Sequence, residues 1–405
     1  MSLINHEELK KQIKEGTFTS LDDITNEFKN ILREVIQTAS SEELTSHLGY
    51  EKHRPSDTPN YRNGYNDKKI NSKYGQFDVS IPRDRESTFE PQLVKKREVL
   101  LDGSEDLILS LYTKGMSVRD IQYHLDDLYG YELSAETISN ITNKVIEKAN
   151  EWQSRPLEPI YPIIFMDATV LKIRVDRVVK NIAAYIMLGI TIEGKKEIIG
   201  IWIGENETSK YWLTVLNDIQ KRGVRDVLIF AIDGLNGFNE AIQAVYPKAE
   251  VQRCIVHQIR SSLKFVSWKD RKAVARDLKS VYSALNEEDG QFALSAFNDI
   301  WGKKYPNIAL SWTNHWNELS TFFKYPDSVK KLIYTTNPIE SLNATIKRKT
   351  KSKGSFPTTE SAFKIVYLAT QEQQEKWNRT SIRNWYEIYP QLSIFFSEIM
   401  SKYTN

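Results

Sequence analysis

The stretch Ile163-Ile164-Phe165-Met166-Asp167-Ala168-Thr169-Val170-Leu171-Lys172-Ile173-Arg174-Val175 sets one aspartate inside an apolar, β-branched run. Such a run reads as a strand, and a charge inside it is costly unless it is paired or bound to a metal. Two further apolar runs follow, Ile182–Ile192 and Glu197–Ile203. The short polar turns at Asp176–Lys180 and Glu193–Lys196 predict an antiparallel meander of three strands. Thr208–Arg222 then reads as a helix, and Val227–Ile232 as a buried parallel strand ending at Asp233. A helix over Phe238–Val245 and a strand over Glu250–Cys254 complete the series.

Three antiparallel strands, a helix, a strand, a helix and a strand is the order of a ribonuclease H-like α/β sheet. In such a sheet the first strand is central and lies beside the strand ending at Asp233, so the two carboxylates can converge. At ~4 Å and an effective dielectric near 20 their repulsion is about 4 kcal/mol. The pair persists if protonated or if a cation neutralises it, and oxygen ligands favour magnesium or manganese. Two such ions can activate a water or a 3′-hydroxyl and stabilise the leaving oxygen of a phosphodiester. Asp233 taken alone also suits a helix cap or turn, and Asp167 an edge strand facing solvent.

Glu340 is the candidate third acid. It stands near the start of a helix after Thr335-Thr336-Asn337-Pro338-Ile339, where Thr336 or Asn337 can cap and Pro338 suits the first position. A first-turn glutamate is also ordinary dipole compensation. What raises Glu340 is the basic run behind it, Lys347, Arg348, Lys349, Lys351 and Lys353, with no acid among them. That run can hold a phosphate backbone or simply solvate a helix face. Cys254 and His257 form a C-x-x-H pair without the second cysteine of a usual zinc site. They read either as a buried cysteine with a hydrogen-bonded histidine or as support for the active site, flanked by Arg253 and Arg260.

Upstream, residues 1–50 show helical spacing through Ile24, Phe28, Ile31, Leu32 and Val35, with Gly49 as a stop. Residues 51–100 are broken by prolines and glycines, with a short strand expected over Phe77–Ile81. Nine Lys/Arg lie between Arg62 and Arg97 against five acids, interleaved with Tyr61, Tyr65 and Tyr74. This segment is either a DNA-contacting arm or a solvated linker. Three short helices are expected over 104–149, split at Gly115 and Gly130 and capped by Ser117 and Ser134. They suit a helix-turn-helix as well as a small helical bundle.

Composition narrows the class. At 405 residues, with 40% hydrophobic residues, the chain has material for about two to four domains with real cores. The net charge is only +2, so any nucleic-acid surface must come from the distribution of charge. One cysteine, Cys254, precludes an intrachain disulfide and suits a reducing compartment. No apolar run approaches about 18 residues and the first twenty residues carry no apolar core, so neither a membrane span nor a signal peptide is expected.

Taken together, these strings resemble the Mutator-type transposases of bacterial insertion sequences, and the resemblance spans nearly the whole chain. It rests on Met166-Asp167-Ala168 with Lys172 and Arg174, on Asp233-Gly234-x-x-Gly237, and on Gln252-Arg253-Cys254-x-x-His257-x-x-Arg260. Thr336-Asn337-x-Ile339-Glu340-Ser341-Leu342-Asn343, the basic run and Gly354-x-Phe356-Pro357 continue it. Tyr61-Arg62-Asn63-Gly64 and Pro82-Arg83-Asp84-Arg85 resemble the family's N-terminal signature. One departure is Ile232, where a polar residue, often serine, is expected.

The resemblance implies a ribonuclease H-like core with an Asp-Asp-Glu triad of Asp167, Asp233 and Glu340. It implies a helical insertion over 258–330, two magnesium ions (manganese able to substitute), binding to terminal inverted repeats and target DNA, and at least a dimer. The expected division is 1–100 (helical and basic arm), 101–155 (helix-turn-helix-like), 156–257 (first part of the core), 258–330, and 331–405 (rest of the core and C-terminal helices). The mainly helical N-terminal region is expected to bind element ends. DNA-contacting side chains are expected at Arg62, Arg83, Arg85, Lys172, Arg174, Arg253, Arg260, Lys347, Arg348, Lys349, Lys351 and Lys353, with Cys254 and His257 supporting the acids. The expected function is DNA transposition and recombination by cleavage and strand transfer, in the bacterial cytoplasm at the nucleoid. A metal-dependent nuclease without strand transfer, or a domesticated non-catalytic DNA-binding protein, are the alternatives.

Overall fold

The computed structural model describes residues 14–16, 18–54, 59–72, 74–95, 104–130, 133–204, 208–234, 237–334, 337–351 and 353–403. The first residues, the end of the basic arm at Lys96–Arg97, and the cap expected at Thr336 lie outside them, as do the side chains of Asn337 and Pro338. The chain divides into two compact units, Met1–Lys144 and Val145–Asn405.

In the first unit, α1 (Leu21–Leu48) opens with a capping box between Ser20 and Asp23 and stops at Gly49, whose φ of 78° suits glycine. Two strands follow, β1 (Arg62–Ser72) and β2 (Gly75–Asp84), paired antiparallel from Arg62↔Asp84 to Ser72↔Gly75. The single short strand expected over Phe77–Ile81 is thus one arm of a longer two-stranded hairpin, within a region whose other elements are helices. The first strand, Arg-Asn-Gly-Tyr-Asn-Asp-Lys-Lys-Ile-Asn-Ser, is polar and mostly exposed, so it shows no apolar alternation. Its pairing with β2 and the packing of Ile70, Phe77, Val79 and Ile81 against Ile36 of α1 hold it. Three helices come next, α2 (Ser104–Thr113), α3 (Val118–Tyr129) and α4 (Ala135–Ser154), the last crossing into the second unit. Ser117 caps α3 in a full capping box and Gly130 ends it at φ 61°.

The second unit is built on a five-stranded sheet in the order β5-β4-β3-β6-β7. The strands are β3 (Ile160–Val175), β4 (Val178–Ile190), β5 (Lys196–Gly204), β6 (Asp226–Ile232) and β7 (Glu250–Arg253). The first three form the antiparallel meander, and β6 and β7 run parallel to β3. The β3–β4 turn is tight, with Asp176 and Arg177 at φ 51° and 67°.

Side chains alternate along β3. Ile164 and Met166 join Tyr185, Phe230, Trp212 and Phe238 in a core under α5 (Ser209–Lys221) and α6 (Phe238–Val245). The opposite face, carrying Asp167, packs against α13 (Asn337–Lys351). Between β7 and α13 runs a helical stretch: α7 (Ile255–Lys264), α8 (Arg271–Tyr282), α9 (Glu287–Trp301), α10 (Pro306–Asn314), α11 (Trp316–Leu319), a 3-10 turn (Thr321–Lys324) and α12 (Asp327–Ile333). The C-terminal helices are α14 (Thr359–Trp377), α15 (Trp385–Phe395) and α16 (Ser397–Met400). Among the described residues no helix is long and apolar enough to cross a membrane.

Candidate active site

Asp167 sits in mid-β3, where β6 ends alongside: Met166 pairs with Ile232, and the Asp233 N–H donates to the Met166 carbonyl at 3.3 Å. The parallel pairing therefore sets the two acids side by side. Asp167 is buried, 5% exposed, while Asp233 is partly open. Each carboxylate accepts the next residue's N–H at 2.7 Å, from Ala168 and Gly234. A Cβ at position 234 would lie 2.2 Å from the Arg253 guanidinium, so any larger residue there would have to displace that side chain.

His257 joins them from the first turn of α7. One ligand atom each from Asp167, Asp233 and His257 lie within 4.8 Å of one another. His257 Nδ1 is 3.6 Å from Asp233 Oδ1 and its Nε2 is 3.9 Å from Glu340 Oε1. Glu340, in the first turn of α13, also accepts from Arg260 at 2.7 Å. All three acids thus face one histidine.

The electrostatics follow from the burial. Desolvation pushes the Asp167 carboxyl up, and the charge of Asp233 adds to this; His257, the Ala168 N–H and Asn343 oppose it. His257 is pushed up to about 9, first by its hydrogen bond with Cys254 and then by Asp233 and Asp167, against its own burial. An imidazolium has no free lone pair for a metal. In the metal-free site His257 is therefore held as a cation among the acids, whose carboxylate oxygens suit a hard divalent ion. Cys254 is buried at the N-terminus of α7, with its N–H on the Ile232 carbonyl at 2.8 Å.

Asn343, one turn after Glu340, donates to Asp167 Oδ2 at 2.6 Å. Its own Oδ1 is buried with no hydrogen-bond partner among the described residues. Sequence reasoning gave Asn343 no role; its i+3 spacing from Glu340 was the available signal.

The basic residues divide. Lys347, Arg348 and Lys351 are exposed on α13, whereas Lys349 pairs with Glu372 and Lys353 lies 5.9 Å from the Phe356 ring. Lys172 and Arg174 are exposed on β3 beyond Asp167, and their backbone holds Phe356 through two 2.8 Å bonds. Arg253 is largely buried on Glu318 at 3.1 Å. In the first unit, Arg62 is bound to Thr45 at 2.8 Å and to the Tyr50 carbonyl at 3.3 Å. Arg83 is exposed but donates to the Asn63 carbonyl at 2.7 Å, and Arg85 is exposed.

A family model described as "Transposase, Mutator family" matches residues 3–380. The transposase for insertion sequence element ISRM3 of Rhizobium meliloti is 43% identical over 378 residues, 93% of each chain. The transposase for IS905 of Lactococcus lactis is 36% identical, covering 86% of this chain and 88% of that one. The transposase for IS256 in transposon Tn4001 of Staphylococcus aureus is 26% identical, covering 88% and 91%. Matches of this length, over a chain whose acids converge on one histidine, show that it belongs to the Mutator family of transposases.

Proposed function

We propose that the second unit is a ribonuclease H-like catalytic core that cuts DNA at the ends of an insertion sequence and joins them to a target. The observation that carries this reading is the convergence of Asp167, Asp233 and Glu340 around His257. The sheet order and the helical stretch between β7 and α13 support it.

Asp167 and Asp233 would hold divalent metal, magnesium or manganese, with Glu340 completing the set. When bound, such ions lower the pKa of water and offset charge on the phosphodiester. The chain's own residues prepare the site. Asn343 fixes the orientation of Asp167. His257 offsets the repulsion between Asp233 and Glu340. Arg260 holds one Glu340 oxygen and is exposed enough to meet a phosphate.

In the first reaction a water oxygen bonds to the phosphorus at an element end, and the P–O bond to the 3′ oxygen breaks. A 3′-hydroxyl and a 5′-phosphate result. In the second, that 3′-hydroxyl bonds to a target phosphorus and releases a target 3′-hydroxyl. No side chain enters a covalent bond. The arm with Arg62, Arg83 and Arg85 and the 101–155 helices would bind the element's terminal repeats. The 258–330 stretch would be the insertion that brings Glu340 to the core, and the working form would be at least a dimer in the bacterial cytoplasm.

The test is incubation of the full chain with magnesium and the ends of the flanking element, with products mapped on both strands. Nicked ends and joined products are expected. Cleavage without joining would reduce the protein to a nuclease, and no cleavage would reduce it to a DNA binder.

A further inference from the structure

The loop between α7 and α8 carries Phe265 at 68% and Trp268 at 85% exposure, the latter the most exposed aromatic side chain among the described residues. It is held from beneath. Val266 points inward at 6% exposure, and Ser267 Oγ donates to Asp270 at 2.9 Å. Tyr305 donates to the same Asp270 oxygen at 2.6 Å, and Lys304 pairs with it. Arg271 donates to the Leu263 carbonyl at 3.1 Å. These bonds hold the loop that carries the two exposed rings. Asp270, the only acid between Lys264 and Lys272, is thereby occupied, while Lys264, Lys269, Arg271 and Lys272 are exposed around the rings. The Arg271 guanidinium lies 5.9 Å from the Trp268 ring centre.

The loop is also linked to the acids. His257, Arg260 and Lys264 occupy i, i+3 and i+7 of α7 and share one face. That face starts at the carboxylates and ends at the loop, about 10 Å along the helix axis.

We propose that Phe265 and Trp268 form a stacking platform for an unpaired DNA base beside the cleavage site, a reading that rests on the DNA-cutting role of the core. Bases stacked inside a duplex have no free face without unstacking, whereas unpaired ones offer theirs whatever their sequence. A cut and joined end supplies such bases. The surrounding lysines and arginines match a phosphate backbone. They disfavour a second copy of the chain, because a two-fold contact would set the same basic patch against itself.

The experiment measures binding of full chain to a labelled oligothymidylate and to a blunt duplex of unrelated sequence, without divalent metal. Trp268→Ala should weaken oligothymidylate binding about tenfold and leave the duplex within about twofold. Trp268→Phe should keep most of the affinity and Trp268→Leu should not. Several results would overturn the proposal: no binding of oligothymidylate by the parent, equal loss on both ligands, or Trp268→Leu equal to the parent. A smaller oligomer for Trp268→Ala by sedimentation would assign the patch to self-association instead. Because the platform is read by binding and the acids by a separate cleavage assay, the two readings separate. An Asp233→Asn variant that still cuts removes the catalytic reading and not the platform; a normal Trp268→Ala beside a dead Asp233→Asn removes the platform alone.

Discussion

Asp84 in the first unit and Asp167 in the second are both buried, at 2% and 5% exposure, yet their surroundings act in opposite directions. Asp84 accepts from Asn60 at 2.7 Å, from the Thr88 hydroxyl and N–H at 2.7 and 2.9 Å, and from the Phe89 N–H at 3.2 Å. Burial pushes its carboxyl up, but these donors outweigh it and hold it well below the usual range. Asp167 has the Ala168 N–H and Asn343, and faces Asp233; for it burial prevails and the carboxyl moves up. The lesson is that a buried acid whose oxygens are saturated by donors is part of the fold. One left short of donors, with a like charge beside it, is set for a cation.

The largest effect expected is on cleavage. Asp167→Asn, Asp233→Asn and Glu340→Gln should each lower it by at least on the order of 10²-fold and leave binding to element ends largely intact. Strand mapping against a binding assay checks this, and near-parent cutting would remove that acid from the triad.

Stability should sort the two aspartates the other way. Asp84→Ala should cost about 3 kcal/mol in urea unfolding at neutral pH, because charged hydrogen bonds are lost and their donors stay buried. Asp167→Asn should cost nothing in metal-free protein, since it removes an unfavourably buried charge. The Asp84 contribution has a definite pH sign. Its folded pKa is depressed, so the stabilisation is complete above the unfolded value of about 3.9 and is lost progressively as pH falls from there through the lower folded value. Parent and Asp84→Asn should therefore converge in acid; a gap that persists there would show that the charge is not what matters.

A smaller effect is expected from the hydrogen bond that orients Asp167. Asn343→Ala should slow cleavage by about 10- to 100-fold, with end binding unchanged. Unaltered single-turnover rates would leave Asn343 a packing role only.

The smallest effects concern α13. Lys347→Ala, Arg348→Ala and Lys351→Ala should each reduce the salt slope of DNA binding by roughly one and weaken all sequences about equally. Lys349→Ala should leave the slope alone, because Lys349 is engaged by Glu372. Four slopes equal to the parent's would mean that α13 is merely solvated.

Much of this was legible in the chain itself. The meander, the strand ending at Asp233 and the helix opening α13 are local patterns of apolar period, turn residues and caps, and the recognisable strings carried the family. The β1 strand was not legible, because a polar strand owes its form to the partner it pairs with. Asn343 was visible only as part of a string.

What the sequence by itself determined is therefore the strands and helices of the second unit's sheet, the candidate acids Asp167, Asp233 and Glu340, and the family. Tertiary structure alone decided which charges are free and which are engaged. Arg253 meets Glu318, Lys349 meets Glu372, and Asn343 meets Asp167 across 176 positions. The physical reason is range: propensity and period act over a few residues, whereas the pairing and desolvation that set a charge's role come from neighbours distant in the chain.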